Sequence, residues 1–407
     1  MNIDGIDSRI LQKLATENIR EPTEIQQLVI PLLLQKQNVI FSSQTGTGKT
    51  YAYLLPAIEN AASGGHCLII APTLELCVQI KNKVDFLLPS LDGEHQIKSA
   101  LLIGSGNIIH QISAIKEGAQ IIVGNTKRIL QLSIQRKLNL KKINYIVLDE
   151  ADRLVSSELY DETKEIIKKI SISQKLQNQS IANIACSATL NEKSIAAIKE
   201  VFAQRTESNA EFKIVRSGKN EILQQYITHI AIWCEERDKI ATLRSLLVAL
   251  KPRRALIFAT RSEEVQNIVA KLQYKTHSSG GRTIIGKNVA GLYSGMDRRD
   301  RRDVMEAFKV GDVTVLVSSD LAARGLDISG IHYIIETSVS ENIDVYIHRA
   351  GRTARAGKKG TMISIGSEID MRRLQSIERK LQITVYPKVL YGGRLLSPDD
   401  EVFRADD

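Results

Sequence analysis

Short apolar runs and helically spaced apolar positions alternate along most of the chain. Ile6, Ile10, Leu11 and Leu14 recur at helical spacing within Ile6–Asn18, and Pro22 marks the turn that follows. A second helix is predicted from Thr23, with Glu24, Ile25 and Gln26 in its first turn. The runs Val39–Phe41, Leu68–Ile70, Ile121–Val123, Tyr145–Leu148 and Ile184–Cys186 have the length and apolarity of buried strands, with helical patterns between them. Around Gln204–Asn220 the pattern gives way to polar, turn-prone sequence. A second series follows at Tyr226–Ile232, Ala255–Phe258, Val289–Leu292, Val313–Val317, Tyr333–Ile335 and Met362–Ile365. Strand–helix alternation predicts parallel β-α-β units with helices on both faces and ligands at the carboxyl ends of the strands. The expected organisation is two similar α/β domains, 1–207 and 223–390, joined by a linker at 208–222 and followed by a short acidic tail at 391–407. Lys275–Lys287, containing Ser278-Ser279-Gly280-Gly281, is expected to be an exposed loop.

Composition changes this picture little. The 407 residues are 43% hydrophobic and 25% charged, which fits a folded protein of two or three cores and excludes global disorder. No apolar run approaches the length of a membrane span, and Met1-Asn2-Ile3-Asp4 does not open a signal peptide, so a cytoplasmic location is expected. Cys67, Cys77, Cys186 and Cys234 are scattered without a C-x-x-C pair, so neither a zinc site nor a disulfide framework is indicated, and they read as core or incidental thiols. The net charge of +9 favours a polyanionic partner without proving one.

The chemistry centres on Val39–Thr50, which reads as a strand, a glycine-bearing loop and a helix start. Gly46 and Gly48 suit positive φ and close approach of backbone N–H groups to phosphate oxygens at the helix N-terminus. Ser43, Gln44, Thr45, Gly46, Thr47, Gly48, Lys49 and Thr50 are the candidate phosphate cradle. Lys49 would reach the β- and γ-phosphates, and Thr50 would place its hydroxyl on Mg²⁺. Ser43 stands where the general pattern G-x-x-x-x-G-K-[ST] has glycine, and a glycine-rich turn without ligand is the alternative. Asp149-Glu150-Ala151-Asp152 follows the Tyr145–Leu148 run and so falls at a strand's carboxyl end. There Asp149 can hold Mg²⁺ and Glu150 can polarise an attacking water, although acidic residues also favour the first turn of any helix. Further on, Arg349, Arg352 and Arg355 recur at every third position, which on a helix puts them near one face. Phosphoryl transfer gains much from such an arginine.

Taken together, Gln26, the phosphate loop and Asp-Glu-Ala-Asp resemble the DEAD-box family of ATP-dependent RNA helicases, and the resemblance spans nearly the whole chain. Pro22–Gln26 is similar to the family's adenine-reading segment, Pro72-Thr73-Leu74-Glu75-Leu76 to its first RNA-contacting motif, and Ser187-Ala188-Thr189 to its coupling triplet. Phe258–Arg261, Gly295–Arg301, Ser319–Asp327 and His348–Arg355 resemble later motifs in family order. The resemblance implies two tandem RecA-like domains, each a mostly parallel sheet with helices on both faces, and an RNA-dependent ATPase that uses ATP and Mg²⁺. It implies that Gln26 reads adenine, that Asp327 contacts the ribose, and that Arg352 and Arg355 reach the γ-phosphate across an interdomain cleft. It also implies sequence-independent RNA contacts at Pro72, Thr73, Gly104, Arg128, Thr260, Gly295, Arg301, Ser319 and Asp320, with Gly106 a further candidate. Asp152, Ser187, Ala188, Thr189, Arg324, His348 and Arg349 would couple the domains. Contacts to backbone and 2′-hydroxyls make RNA the expected partner, with proteins of a ribonucleoprotein as further partners and no membrane.

The chain departs from the family pattern at several positions. Ile19 replaces an aromatic residue that stacks on adenine, Leu74 an arginine, Asn125-Thr126-Lys127-Arg128 the sequence T-P-G-R, Arg298 a glutamine, and Ser319 a threonine. The hydrolytic residues are intact, so the departures bear on adenine and RNA affinity. An ATP-gated RNA clamp with slow turnover and a DNA helicase are the alternatives.

Overall fold

The apolar runs become strands of two parallel sheets. The computed structural model describes residues 3–43, 47–91, 96–175, 181–203, 211–217, 225–273, 288–323, 330–354 and 358–400, and the chain divides into two units, 1–218 and 219–407.

The first unit holds β1 (Val39–Ser42), β2 (His66–Ile70), β3 (Ser99–Leu102), β4 (Ile121–Gly124), β5 (Ile143–Asp149), β6 (Ala182–Ser187) and β7 (Lys213–Arg216). They form one parallel sheet in the order β3-β4-β2-β5-β6-β1-β7. The second unit holds β8 (Ile227–Trp233), β9 (Ala255–Ala259), β10 (Val289–Leu292), β11 (Val315–Ser319), β12 (Tyr333–Glu336), β13 (Gly360–Gly366) and β14 (Val385–Pro387). Their order, β10-β11-β9-β12-β13-β8-β14, repeats that of the first sheet strand for strand, and all neighbours are again parallel. An antiparallel hairpin of β15 (Val389–Tyr391) and β16 (Arg394–Leu396) follows.

Helices cover both faces of each sheet, which is why the strands read as unbroken apolar runs rather than alternating ones. Successive residues still serve opposite cores. Val39 and Phe41 pack with Cys67 and Ile69 on one side of the first sheet, whereas Ile40 packs with Leu68 and Ile70 on the other. In the second sheet Leu256 and Phe258 face one core, and Ala255, Ile257 and Ala259 the other. Each such large side chain contributes about 1.5–3 kcal/mol by leaving water.

The sheets contain strands that the apolar pattern did not signal. β7 lies inside the expected linker, where Ile214 is exposed and Val215 half-buried, and its backbone pairing with β1 holds it on the sheet edge. β3 is only four residues long and opens with Ser99. The hairpin takes in Tyr391 and Arg394–Leu396 of the expected acidic tail. The whole of the expected 275–287 loop and residues 401–407 of that tail lie outside the described residues.

Candidate functional site

In the first unit the candidate residues gather at the carboxyl edge of the sheet. β1 runs into Ser43, and Thr47 and Gly48 lead into the helix that follows; Gln44, Thr45 and Gly46 lie outside the described residues. The Ser43 and Thr47 hydroxyls lie 2.6 Å apart, and the Lys49 ammonium donates to the Ser43 carbonyl. Gly48 caps the helix Lys49–Ala62 with φ +90°, a conformation that favours glycine. A Cβ there would also fall 2.4 Å from Gln26 Nε2. Gln26 begins the helix Glu24–Leu34 one turn in and is 1% exposed. Its Oε1 accepts from the Thr23 N–H at 3.0 Å and its Nε2 donates to the Gly48 carbonyl at 3.1 Å. The glutamine thus ties its own helix start to the phosphate loop. Ile19, half-buried, packs against the core on this side.

Two strands from the loop, β5 delivers the carboxylates. Asp149, 5% exposed, accepts three hydrogen bonds: Tyr53 hydroxyl to Oδ2 at 2.7 Å, Cys186 thiol to Oδ1 at 3.2 Å, and Glu150 N–H to Oδ1 at 2.9 Å. Burial foremost, and then the Asp149 charge, pushes both the Tyr53 phenol and the Cys186 thiol well above their ordinary values, so both remain donors. Thr50 lies three residues, about one helical turn, before Tyr53 on the same helix. Glu150 takes φ +48° at the corner between β5 and the short helix Ala151–Leu154, an arrangement costing a non-glycine residue roughly 1–2 kcal/mol. Asp152 receives the Ser187 hydroxyl at 2.5 Å and the Thr189 hydroxyl at 3.3 Å, with Ala188 half-buried between them. The two motifs expected to couple are therefore joined directly inside this unit.

The Thr50 hydroxyl and the Asp149 carboxylate are hard oxygen donors of the kind Mg²⁺ selects, and a carboxylate with about four acceptor sites retains capacity beyond three donors. No cluster of three or more His, Cys, Asp or Glu assembles among the described residues. A metal that keeps waters and takes its other ligands from phosphates needs none.

The remaining first-unit candidates occupy the same edge. Pro72 and Thr73 follow β2, and Thr73 caps the helix Leu74–Leu87 by accepting the Leu76 N–H at 3.3 Å. Leu74, half-buried, packs on the core. Arg128 follows β4 and is 8% exposed, with its guanidinium donating to the Gly104 carbonyl at 3.0 Å and to Gln111 Oε1 at 3.3 Å. Gln111 Nε2 donates in turn to the Ile103 carbonyl at 2.9 Å, and a Cβ on Gly106 would fall 2.5 Å from that nitrogen. The arginine braces the glycine loop after β3.

The second unit repeats the arrangement at its own carboxyl edge. Thr260 after β9 is exposed, its N–H donating to Glu264 at 2.8 Å, and Gly295 after β10 is exposed with φ +88°. Arg301 donates to the Ala322 carbonyl at 3.1 Å. Ser319, ending β11, is 5% exposed, and its hydroxyl has no partner among the described residues. Asp320 accepts from Arg349 Nε and Nη2 at 2.7 and 2.6 Å. Arg349 also donates to Glu336, 0% exposed, at 2.6 Å and to the Ser338 carbonyl at 2.8 Å, and it stacks 5.3 Å over Phe258. Burial works against its charge, but Asp320 and Glu336 outweigh that and hold it protonated.

The expected single helical face for the arginines does not form. The helix Ile343–Ala350, which carries His348 and Arg349, stops at Gly351, and the following turn is pinned by the Thr353 hydroxyl donating to the Ile331 carbonyl at 2.6 Å. Arg352 sits in that turn, 6% exposed, with Nε donating to the His348 carbonyl at 3.3 Å. Arg324, Asp327 and Arg355 lie outside the described residues. Sequence reasoning missed Tyr53, Cys186 and Gln111. Only the position of Tyr53, one turn past Lys49 and Thr50, could have pointed to it.

The family described as DEAD/DEAH box helicase matches residues 23–198, and the helicase conserved C-terminal domain matches residues 238–357. The DEAD-box ATP-dependent RNA helicase CshC of Bacillus cereus is 30% identical over 377 residues, covering 92% of this chain and 89% of that one. The structure of S. cerevisiae Dbp5 bound to RNA and ADP BeF3 is similar with a TM-score of 0.77 at 24% identity, over 98% of this chain and 96% of that one. DEAD-box helicase Mss116 bound to ssRNA and UDP-BeF gives a TM-score of 0.81 at 21% identity, over 96% and 79%. At these identities the two structures speak for the fold.

Proposed function

The chain belongs to the DEAD-box family of ATP-dependent RNA helicases, and from that premise we propose that it couples RNA-stimulated ATP hydrolysis to local, non-processive RNA strand separation or ribonucleoprotein remodelling. The observation that carries this reading is the meeting of three motifs at one sheet edge: the phosphate loop after β1, Asp149–Asp152 after β5, and Ser187–Thr189 after β6 bonded to Asp152.

Lys49, released from the Ser43 carbonyl, supplies the counter-charge for the β- and γ-phosphates, and the backbone around Gly48 lies against them at the helix N-terminus. Thr50 and Asp149 would hold Mg²⁺, which when bound would neutralise charge developing on the phosphate oxygens. Glu150 orients and polarises the attacking water. Arg352 and Arg355 meet the developing charge on the γ-phosphate, Asp327 the ribose, and Gln26 the adenine edge. Asp152, Ser187, Ala188, Thr189, Arg324, His348 and Arg349 relay nucleotide state to RNA. Pro72, Thr73, Gly104, Arg128, Thr260, Gly295, Arg301, Ser319 and Asp320 form the RNA track, with Arg128 and Arg301 shaping its loops. A cytoplasmic location belongs to this reading and is supported by four free thiols, as suits a reducing compartment. Among the described residues no helix is long and apolar enough to cross a membrane.

The test is ATP turnover with no nucleic acid, with RNA, and with DNA of matched sequence. Stimulation by RNA alone is expected. Equal stimulation by DNA would make the chain a DNA helicase, and RNA binding with ATP but no rise in turnover would make it a clamp.

A further inference from the structure

The Asp149 carboxylate is held by side chains that the family motifs do not include. Tyr53 lies on the inner face of the helix that begins at Lys49, and Cys186 lies directly opposite Asp149 in the β5–β6 register. Both are fully buried, so core packing rather than solvent fixes where their donors point. Tyr53 follows Thr50 by one helical turn, which puts the two on neighbouring positions of one helix face, and its hydroxyl donates to Asp149 Oδ2 at 2.7 Å. Cys186 and the Glu150 N–H occupy Oδ1. One oxygen is thus referenced to the phosphate-loop helix and the other to the strand that leads to Ser187.

We infer that Tyr53 and Cys186 are positioning residues that set the spacing of Thr50 and Asp149 and hold the Asp149 carboxylate in a single orientation for nucleotide-bound Mg²⁺. Neither touches the phosphates. The inference rests on the reading of Thr50 and Asp149 as the metal-holding pair. An alternative role is opposite in sign: if the tyrosine hydroxyl merely masks Oδ2, its removal would free the oxygen and strengthen metal binding. Partners behind a metal ligand typically govern metal affinity by about 10–100-fold.

The test uses the full chain and a fluorescent ATP analogue, with affinity measured across a Mg²⁺ titration and in EDTA. In the wild type, affinity should rise with Mg²⁺; a wild type indifferent to Mg²⁺ would overturn the metal assignment itself. Given that rise, Tyr53→Phe and Cys186→Ala should each move the half-saturating Mg²⁺ concentration up by about tenfold while leaving affinity in EDTA unchanged. Cys186→Ser, which keeps a donor, should restore most of the loss. Unmoved half-saturation, a downward shift, an equal loss in EDTA, or a serine variant as weak as the alanine variant would each overturn the inference. Thermal unfolding of all three variants separates a general loss of folding from a local one.

Discussion

Replacing Arg349 with alanine should damage the second unit by breaking a buried charge network. Arg349 is 3% exposed, and its guanidinium makes two bonds to Asp320, one to Glu336 and one to the Ser338 carbonyl, at 2.6–2.8 Å. Asp320 retains contact with water, its side chain being 27% exposed, whereas Glu336 is fully enclosed. Removal of one partner from such a pair costs about 3–5 kcal/mol, because the remaining charge stays buried. With an m-value of about 2 kcal/mol/M in urea, the midpoint should fall by roughly 2 M. Trp233, the one tryptophan of the chain, lies on β8 of this unit, so its fluorescence follows the relevant transition.

The pH dependence has a definite sign. Burial raises the Glu336 carboxyl above its ordinary value, against the opposing pull of Arg349 and the Ser364 hydroxyl, which donates at 2.7 Å. Without Arg349 the folded-state value rises further. A raised folded-state value contributes stability below the unfolded value and loses it as pH climbs through the folded one. The deficit of Arg349→Ala should therefore be largest near neutrality and shrink on acidification toward the ordinary carboxylate range. Glu336→Gln placed on top of Arg349→Ala should recover at least ~1.5 kcal/mol and flatten the pH dependence. A loss under about 1 kcal/mol, insensitive to pH and not recovered by Glu336→Gln, would refute the brace and return Arg349 to a purely signalling role.

Three further outcomes are expected. Glu150→Gln should keep ATP and RNA binding while hydrolysis collapses, read by nucleotide affinity beside single-turnover rates. Gly48→Ala should lower ATP affinity about tenfold and stability by roughly 1–2 kcal/mol, because it strains a +90° backbone and displaces the Gln26 amide. Ile19→Phe should tighten ATP by roughly fivefold without changing the ATP-over-GTP preference, whereas Gln26→Ala should erode that preference; unchanged affinity in Ile19→Phe would place Ile19 away from the base.

Strands buried on both faces, such as β1 and β5, could be read as runs because every residue is apolar, and the chemistry at their ends followed from strand direction alone. β7 could not, since its place depends on backbone bonds to β1 and its side chains bury little. The arginine spacing misled for a similar reason. A period of three continues past Gly351 in the letters, but the helix that would give it meaning does not.

The hidden part of the site is set by partners distant in sequence. Tyr53 meets Asp149 across 96 positions, Cys186 meets it across 37, and Arg349 meets Asp320 across 29. Taken locally, a phenol inside an apolar helix and a thiol inside an apolar strand are core residues, and an arginine beside a histidine is a surface cation. Only the register Asp149↔Cys186 and the packing of the Lys49–Ala62 helix turn the first two into donors. Asp-Glu-Ala-Asp therefore specifies which groups are present, while the residues opposite them decide how the first carboxylate is held. If Tyr53 and Cys186 act as inferred, two chains with the same four letters should differ in metal affinity when the counterparts of these residues donate in one and cannot in the other.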